Sequence, residues 1–291
     1  MSVAVIINPT SGPGGPDKGR YRAAIAAKAL ADLDEDLDIS VTTARGHARE
    51  LSAAAVKRGA RLVVAWGGDG TINEVASALT FSESALGIVR SGSGNSLARE
   101  LEVDARPEVA LREALAATPR TIDAGEIDGH VFFCVAGIGF DAHVARCFDE
   151  DTSGRRGLLT YVRMSLREIL SYRPLAYTVG GLRLERAIII AIANTGQFGN
   201  GAIIAPEAKV DDGRLDLVTF DEQSRLGTLL ALPRLYLGGL RRVRGLTMGT
   251  VERVAIEARR PIRFHIDGEP MEGSTRIEVR VLPGALRVAV R

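Results

Sequence analysis

The chain has 291 residues, 46% of them apolar and 25% charged, which is ordinary for a globular protein and long enough for about two domains. Lysine and arginine number 37 against 36 aspartates and glutamates, a net charge of +1, so the strong basic excess of a nucleic-acid binder is absent. Cys134 and Cys147 make neither a disulfide framework nor a CxxC pair. No apolar run approaches the ~18 residues of a membrane span, and no basic leader precedes the opening SVAVIINP, so the expectation is a soluble, cytoplasmic protein.

Val3–Ile7 is a short apolar run stopped by Asn8-Pro9, which predicts a buried strand running into a loop. A glycine- and proline-rich stretch over residues 10–19 follows. An alanine-rich helix is expected over Tyr21–Leu33, a strand over Leu37–Thr43, and a helix over His47–Arg58 closed by Gly59. Arg61–Trp66 predicts a second buried strand leading into Gly67-Gly68-Asp69-Gly70 and a helix over Asn73–Leu79. Ala85–Val89 predicts another strand, followed by Ser91-Gly92-Ser93-Gly94 and a helix starting near Asn95. The alternation predicts a doubly wound, Rossmann-like α/β domain over residues 1–122, with helices on both faces of a parallel sheet. Ligands of such sheets bind beyond the carboxyl ends of the strands, where three glycine clusters fall.

The texture then changes. Strand-like runs at His130–Ala136, Leu175–Val179, Arg186–Ala193, Arg214–Phe220, Thr250–Ala258, Ile262–Ile266 and Arg276–Val281 are punctuated by glycine, proline and aspartate. They predict a second, antiparallel β domain over residues 123–291, a sandwich interrupted by helices at Leu158–Leu170 and from Ser224 to about Leu237. A last strand near Leu286–Val290 is expected to return to the first domain.

Gly67-Gly68-Asp69-Gly70 ends a strand and opens a helix, so its N–H groups and the helix dipole can meet an anion. Glycines let a phosphate approach the backbone, and Asp69 offers a hard oxygen for Mg²⁺. Asn8–Gly12 and Ser91–Ser96 are further strand-end loops of the same kind. Neither a Walker A sequence nor a GxGxxG fingerprint is present. Read alone, Asp211-Asp212-Gly213 and Asp267-Gly268-Glu269 are turns. The four histidines are scattered, and His265, on the strand before Asp267, receives no role.

Taken in order, NPTSG at 8–12, TTARGHAREL at 42–51, GGDGTINEV at 67–75 and SGSGNSLAR at 91–99 resemble the lipid kinases that share the diacylglycerol kinase catalytic domain. That group includes bacterial soluble diacylglycerol kinases, sphingosine kinases and ceramide kinase. The likeness continues through Asp123-Ala124-Gly125, Gly137–Ala142, Asn194–Gly201, Pro206–Asp216 and Asp267–Glu269, and so spans nearly the whole chain. It implies a fold of the NAD kinase and diacylglycerol kinase type, ATP as co-substrate, Mg²⁺, and transfer of phosphate to a lipid hydroxyl at the membrane surface. It further implies that Asn8, Pro9, Thr10, Ser11, Gly12, Thr42, Gly68, Asp69, Gly70, Thr71, Ile72, Asn73, Glu74 and Ser93 hold the nucleotide. Glu269 would be the base, with Asp267 beside it. A structural Mg²⁺ would be held by the Asp212 carboxylate and the carbonyls of Lys209 and Arg214.

One departure stands out. The bacterial diacylglycerol kinases usually carry Gly-Thr-x-Asn-Asp where this chain has Gly92-Ser93-Gly94-Asn95-Ser96; this version looks more like the sphingosine and ceramide kinase branch. Leu158, Leu159, Val162, Leu166, Ile169 and Leu170 are expected on one helical face, with Arg156, Arg163 and Arg167 on the other, and Arg234, Arg241, Arg242 and Arg244 form a second basic cluster. Such helices could lie on an anionic bilayer or simply face the core. A homodimer is expected from the resemblance alone. Two other readings stay open: a kinase of a soluble acceptor such as NAD, and a nucleotide- or lipid-binding regulator without turnover.

Overall fold

The computed structural model describes residues 2–12, 17–31, 36–151, 158–198, 201–222 and 243–291, together with residues 224, 227, 228 and 234. It divides into two compact units, one of residues 1–122 with 284–291 and one of residues 123–283. The expected helix from Ser224, and Arg156, Arg241 and Arg242, lie wholly or largely outside the described residues.

The first unit runs β1 (Ser2–Ile7), α1 (Lys18–Ala29), β2 (Asp36–Val41), α2 (His47–Lys57), β3 (Ala60–Gly67), α3 (Asp69–Leu79), β4 (Ala85–Arg90), α4 (Ser96–Glu100) and α5 (Pro107–Ala116). Its strands pair in parallel in the order β4-β3-β1-β2. Strands covered on both faces read as unbroken apolar runs, and Val3–Ile7 and Leu62–Trp66 are accordingly buried. Val3, Val5, Ile7, Leu62, Val64 and Trp66 form one side of a core shared with Ala26 and Leu30, and with Ala110, Leu111 and Ala114 of α5. This is the expected doubly wound domain. Helix α1 starts three residues earlier than its alanine pattern, its first turn closed by the Tyr21 N–H on the Asp17 carbonyl at 3.0 Å. Helix α5, with proline in its first turn, was not expected.

The second unit begins within β5 (Arg120–Ile127) and continues through β6 (His130–Phe132), β7 (Val135–Gly139), α6 (Phe140–Glu150), α7 (Leu158–Ser171), β8 (Leu175–Val179) and β9 (Leu182–Ala193). There follow β10 (Gln197–Phe198), β11 (Ala202–Ile203), β12 (Leu215–Asp221), β13 (Leu246–Val251), β14 (Arg253–Ala258), β15 (Arg263–Ile266), β16 (Glu269–Glu272) and β17 (Arg276–Val288). Pairing is antiparallel along β16-β15-β7-β9-β8-β14-β17. The 12-residue β9 pairs β8 through its first half and both β7 and β12 through its second. One apolar core, including Phe132, Ile138, Ile190, Ile192, Ile256, Phe264 and Val279, fills the unit. This is the expected antiparallel sandwich.

Three two-residue hairpins shape it. Asp128-Gly129, Gly180-Gly181 and Asp267-Gly268 all have positive φ at both positions, the signature of type I′ turns, whose twist matches that of the flanking strands. The run expected as one strand over His130–Ala136 is broken at Phe133-Cys134, and the run at Thr250–Ala258 is broken at Glu252. The runs expected as separate strands near Arg276–Val281 and Leu286–Val290 are instead one strand, β17. Val288, near its end, pairs in parallel with Leu86 of β4.

Helix α7 corrects a further expectation. Leu166 and Leu170 are 52% and 62% exposed, on the same side as the exposed Arg163 and Arg167, while Ile169 is buried. Among the described residues, no helix is long and apolar enough to cross a membrane.

Gly139 sits at φ 108°, and a Cβ there would lie 2.3 Å from the Ile188 carbonyl oxygen. Gly129 also has positive φ, with nothing near a built Cβ. Urea unfolding is expected to show Gly129→Ala costing about 1 kcal/mol from left-handed backbone alone, and Gly139→Ala about 3 kcal/mol, where strain and a backbone clash combine. Equal losses would remove the clash as a cause.

Candidate active site

In the first unit, three loops meet at the carboxyl ends of β1, β3 and β4. Asn8 anchors the first: its Nδ2 donates to Thr71 Oγ1 at 2.8 Å, and its Oδ1 accepts from the Thr10 amide and hydroxyl at 2.9 and 2.8 Å. Ser11 and Ser91 share a hydroxyl–hydroxyl bond of 2.7 Å. The backbones are so close that a Cβ on Gly12, at φ 68°, would lie 1.9 Å from the Ser91 carbonyl oxygen. A Cβ on Gly92 would lie 2.7 Å from the Gly68 Cα. Here glycine is a requirement of loop-on-loop packing.

Asp69 ties the second loop to the third. Its Oδ2 accepts the Asn95 N–H at 2.7 Å and its Oδ1 the Ser96 N–H at 2.6 Å. The carboxylate expected to organise Mg²⁺ therefore serves first as a bracket between loops. Glu74, expected on the nucleotide, turns to α2: its two oxygens accept the Gly46 and Ala48 N–H groups at 2.9 and 3.1 Å. Ile72 is buried, so its side chain belongs to the core, and Thr71 is buried beneath Asn8. Gly70 and Ser93 are exposed, and space beside Gly70 is open. Thr42, buried, donates its N–H to the Ile7 carbonyl at 2.8 Å and so sits beside the end of β1. Pro9 and Asn73 are half-buried.

Sequence reasoning missed what holds the first loop. Buried Arg22 reaches from α1 to the Asn8 carbonyl at 2.6 Å and the Ser11 carbonyl at 2.8 Å; its burial lowers the guanidinium pKa from its ordinary value. Lys18 Nζ donates to the Gly12 carbonyl at 2.8 Å. Two cations at i and i+4 directly after a glycine-rich loop were the available signal.

In the second unit, the Asp267-Gly268 turn presents Glu269 as the first residue of β16, paired with Ile266. Asp267 is locked: Oδ2 accepts the Phe133 N–H at 3.0 Å, and Oδ1 accepts those of Cys134 and Val135 at 2.9 and 3.0 Å. This explains the break between β6 and β7. It also makes Asp267 a positioning residue, since both of its oxygens are committed to backbone N–H groups. Buried His265 supports the turn from below, its Nδ1 accepting the Gly268 N–H at 3.3 Å. The ring proton then lies on Nε2, which faces Asp141 Oδ2 at 3.5 Å. Asn194, fully buried at the end of β9, donates to the carbonyls of Asp123 and Phe133 at 2.9 and 3.0 Å. A polar residue ending a long apolar strand was its signal in the sequence.

The loop from Lys209 to Arg214 is tied to β5: Asp123 Oδ2 accepts the Gly213 N–H at 2.7 Å, and the Asp123 N–H reaches the Val210 carbonyl at 2.6 Å.

Comparisons with known proteins agree along the chain. Residues 2–127 match the diacylglycerol kinase catalytic domain, and residues 134–290 the YegS C-terminal NAD kinase beta sandwich-like domain. The chain belongs to the YegS-like lipid kinase family. A Pseudomonas aeruginosa PAO1 protein named "Probable lipid kinase YegS-like" is 34% identical over 92% of this chain and 88% of its own length. A Serratia proteamaculans protein of the same name is 28% identical over 94% and 90%. Two solved Bacillus anthracis chains, one described as "a putative diacylglycerol kinase" and one as a diacylglycerol kinase, share the fold, with TM-scores of 0.80 and 0.73 at 20% and 19% identity. Each covers 100% of this chain, and this chain covers 95% and 97% of them.

Membership of this kinase family makes the chain a phosphotransferase and raises the question of the metal. Asp212 with the carbonyls of Lys209 and Arg214 is an all-oxygen set, suited to a hard dication. Nearby, burial first, then the charges of Asp212 and Glu207, hold the Asp216 carboxyl above its ordinary range. Crowded acids of this kind fit a dication, and Mg²⁺ bound there would neutralise them and brace the loop.

Asp69→Ala is expected to destabilise the first unit by about 2 kcal/mol, the scale of charge-assisted bonds lost, and to speed amide exchange at Asn95 and Ser96 without added metal. A purely metal-binding Asp69 would leave metal-free exchange unchanged.

Proposed function

We propose that the protein is an ATP- and Mg²⁺-dependent lipid kinase that transfers the γ-phosphoryl group of ATP to a hydroxyl of diacylglycerol, a sphingoid base or a related lipid. The observation that carries this reading is the fixed division of labour around Glu269: Asp267 and His265 immobilise the turn, and Glu269 leads the strand beyond it. Phosphoryl transfer rests mainly on positioning and charge neutralisation. The glycine loops at 8–12, 67–71 and 91–94 line the phosphate site, with open space beside Gly70. When bound, Mg²⁺ would supply charge neutralisation. Glu269 takes the proton of the lipid hydroxyl as that oxygen bonds to the γ-phosphorus. The bridging bond to the β-phosphate breaks, and ADP leaves with its electron pair.

The exposed leucines of α7 support a lipid acceptor. Leu166 and Leu170 with Arg163 and Arg167 combine apolar anchors and cations, the composition of an interfacial helix, and suit peripheral contact with an anionic membrane surface.

Labelled γ-phosphate from ATP, offered to a lipid panel in detergent micelles, is expected to appear on a lipid. Glu269→Gln should lower turnover roughly 10²–10⁴-fold with little change in KM for ATP, as for a group acting in the transition state. ATP binding with no labelled lipid would overturn the reading, and label on NAD instead would establish a soluble acceptor. Leu166→Glu with Leu170→Glu is expected to weaken binding to anionic vesicles more than about tenfold, while the rate on micellar substrate holds. Unchanged vesicle binding would remove α7 from membrane contact.

A further inference from the structure

We propose that His143, Cys147 and Glu168 form a binding site for a zinc-class divalent ion that clamps α7 to α6. None of the three belongs to the groups assigned to phosphoryl transfer. His143 and Cys147 stand at i and i+4 on α6 and so share a face; Sγ lies 3.7 Å from Nε2. Glu168 comes from α7, with Oε2 3.0 Å from the same Nε2. All three donor atoms lie within 4.8 Å of one another. A tetrahedral ion with bonds of about 2.0–2.3 Å to N, O and S separates its donors by roughly 3.3–3.7 Å, so contraction of the widest gap and slight opening of the narrowest suffice.

The chemistry of the donors selects the ion. Thiolate and imidazole suit zinc or cobalt, whereas Mg²⁺ and Ca²⁺ take oxygen sets. The imidazole is held in place by its neighbours, its centroid 5.5 Å from that of Tyr172 and 6.4 Å from that of Phe140. His143 and Glu168 retain side-chain exposures of 37% and 22%, enough for an ion to enter from solvent. Three protein ligands leave the fourth position to water. The thiol proton passes to solvent on binding, and the His143–Glu168 hydrogen bond gives way to two metal bonds. The clamp would stiffen the helix that carries Leu166 and Leu170.

The alternative is a metal-free cluster in which His143 Nε2 contacts both Glu168 and the Cys147 thiol. Full-length protein stripped with EDTA and titrated with Co²⁺ in excess Mg²⁺, which fills oxygen-only sites, distinguishes the two. The expected result is one equivalent bound, thiolate-to-cobalt charge-transfer absorption, the strong visible bands of a four-coordinate ion, displacement by Zn²⁺, and slower amide exchange in α7. Cys147→Ser should abolish the charge-transfer band, and Glu168→Gln should weaken affinity more than about tenfold, the scale already reached by losses outside the ligand shell. Circular dichroism of each variant establishes that it is folded. No stoichiometric binding, or a cobalt spectrum unchanged in folded Cys147→Ser, would overturn the proposal.

Discussion

Loops at the ends of strands carry backbone N–H groups that no ladder satisfies, and in this chain carboxylates satisfy them. Asp267 accepts three such groups, Asp69 two, Glu74 two, and Asp123 that of Gly213. An ionised acceptor makes stronger bonds than a neutral one, and its charge would be costly to bury without them. Asp267, Asp69 and Glu74 therefore each fix a partner loop as a unit, and losing one of them releases two or three amides together. This fastening needs no apolar cover, so the glycine loops keep bare backbone toward solvent. Arg22 and Lys18 apply the complementary device to the carbonyls of the 8–12 loop.

In the parallel sheet of the first unit, where both strand faces are buried along consecutive residues, the pattern was legible, whereas β5, α5 and α6 were not expected although each buries a run or a face. Val3–Ile7, Arg61–Trp66 and Ala85–Val89 reveal a covered parallel sheet, and the turn expected at Asp267-Gly268 does form. What escaped was decided by partners remote in sequence. Nothing local in the run from His130 to Ala136 announces a break at Phe133-Cys134; the cause is a carboxylate at position 267. Likewise Asp69 and Glu74 look like ligands for an outside group because their amide partners, at 95–96 and 46–48, lie on other loops. The exposed side of α7 followed the same rule: a helical wheel gives an apolar arc, but only packing decides that Ile169 and not Leu166 or Leu170 turns inward.

The same constraint separates holding from reacting. A carboxylate that accepts several amide N–H groups has its oxygens and its orientation committed to the loop it holds, so an acid used as a bracket is not free to follow a substrate. Asp267 and Glu269, two residues apart, divide these tasks across one type I′ turn: the first is fixed by its amides, and the second begins the strand that the turn orients. Position 96 follows from this logic as well. Its N–H donates to Asp69 at 2.6 Å, so the bracket between the GGDG and SGSGN loops uses the backbone of this residue. The departure at Ser96 is thus compatible with an intact loop cluster, and any effect on the acceptor has to come from the charge presented there rather than from loss of the fold.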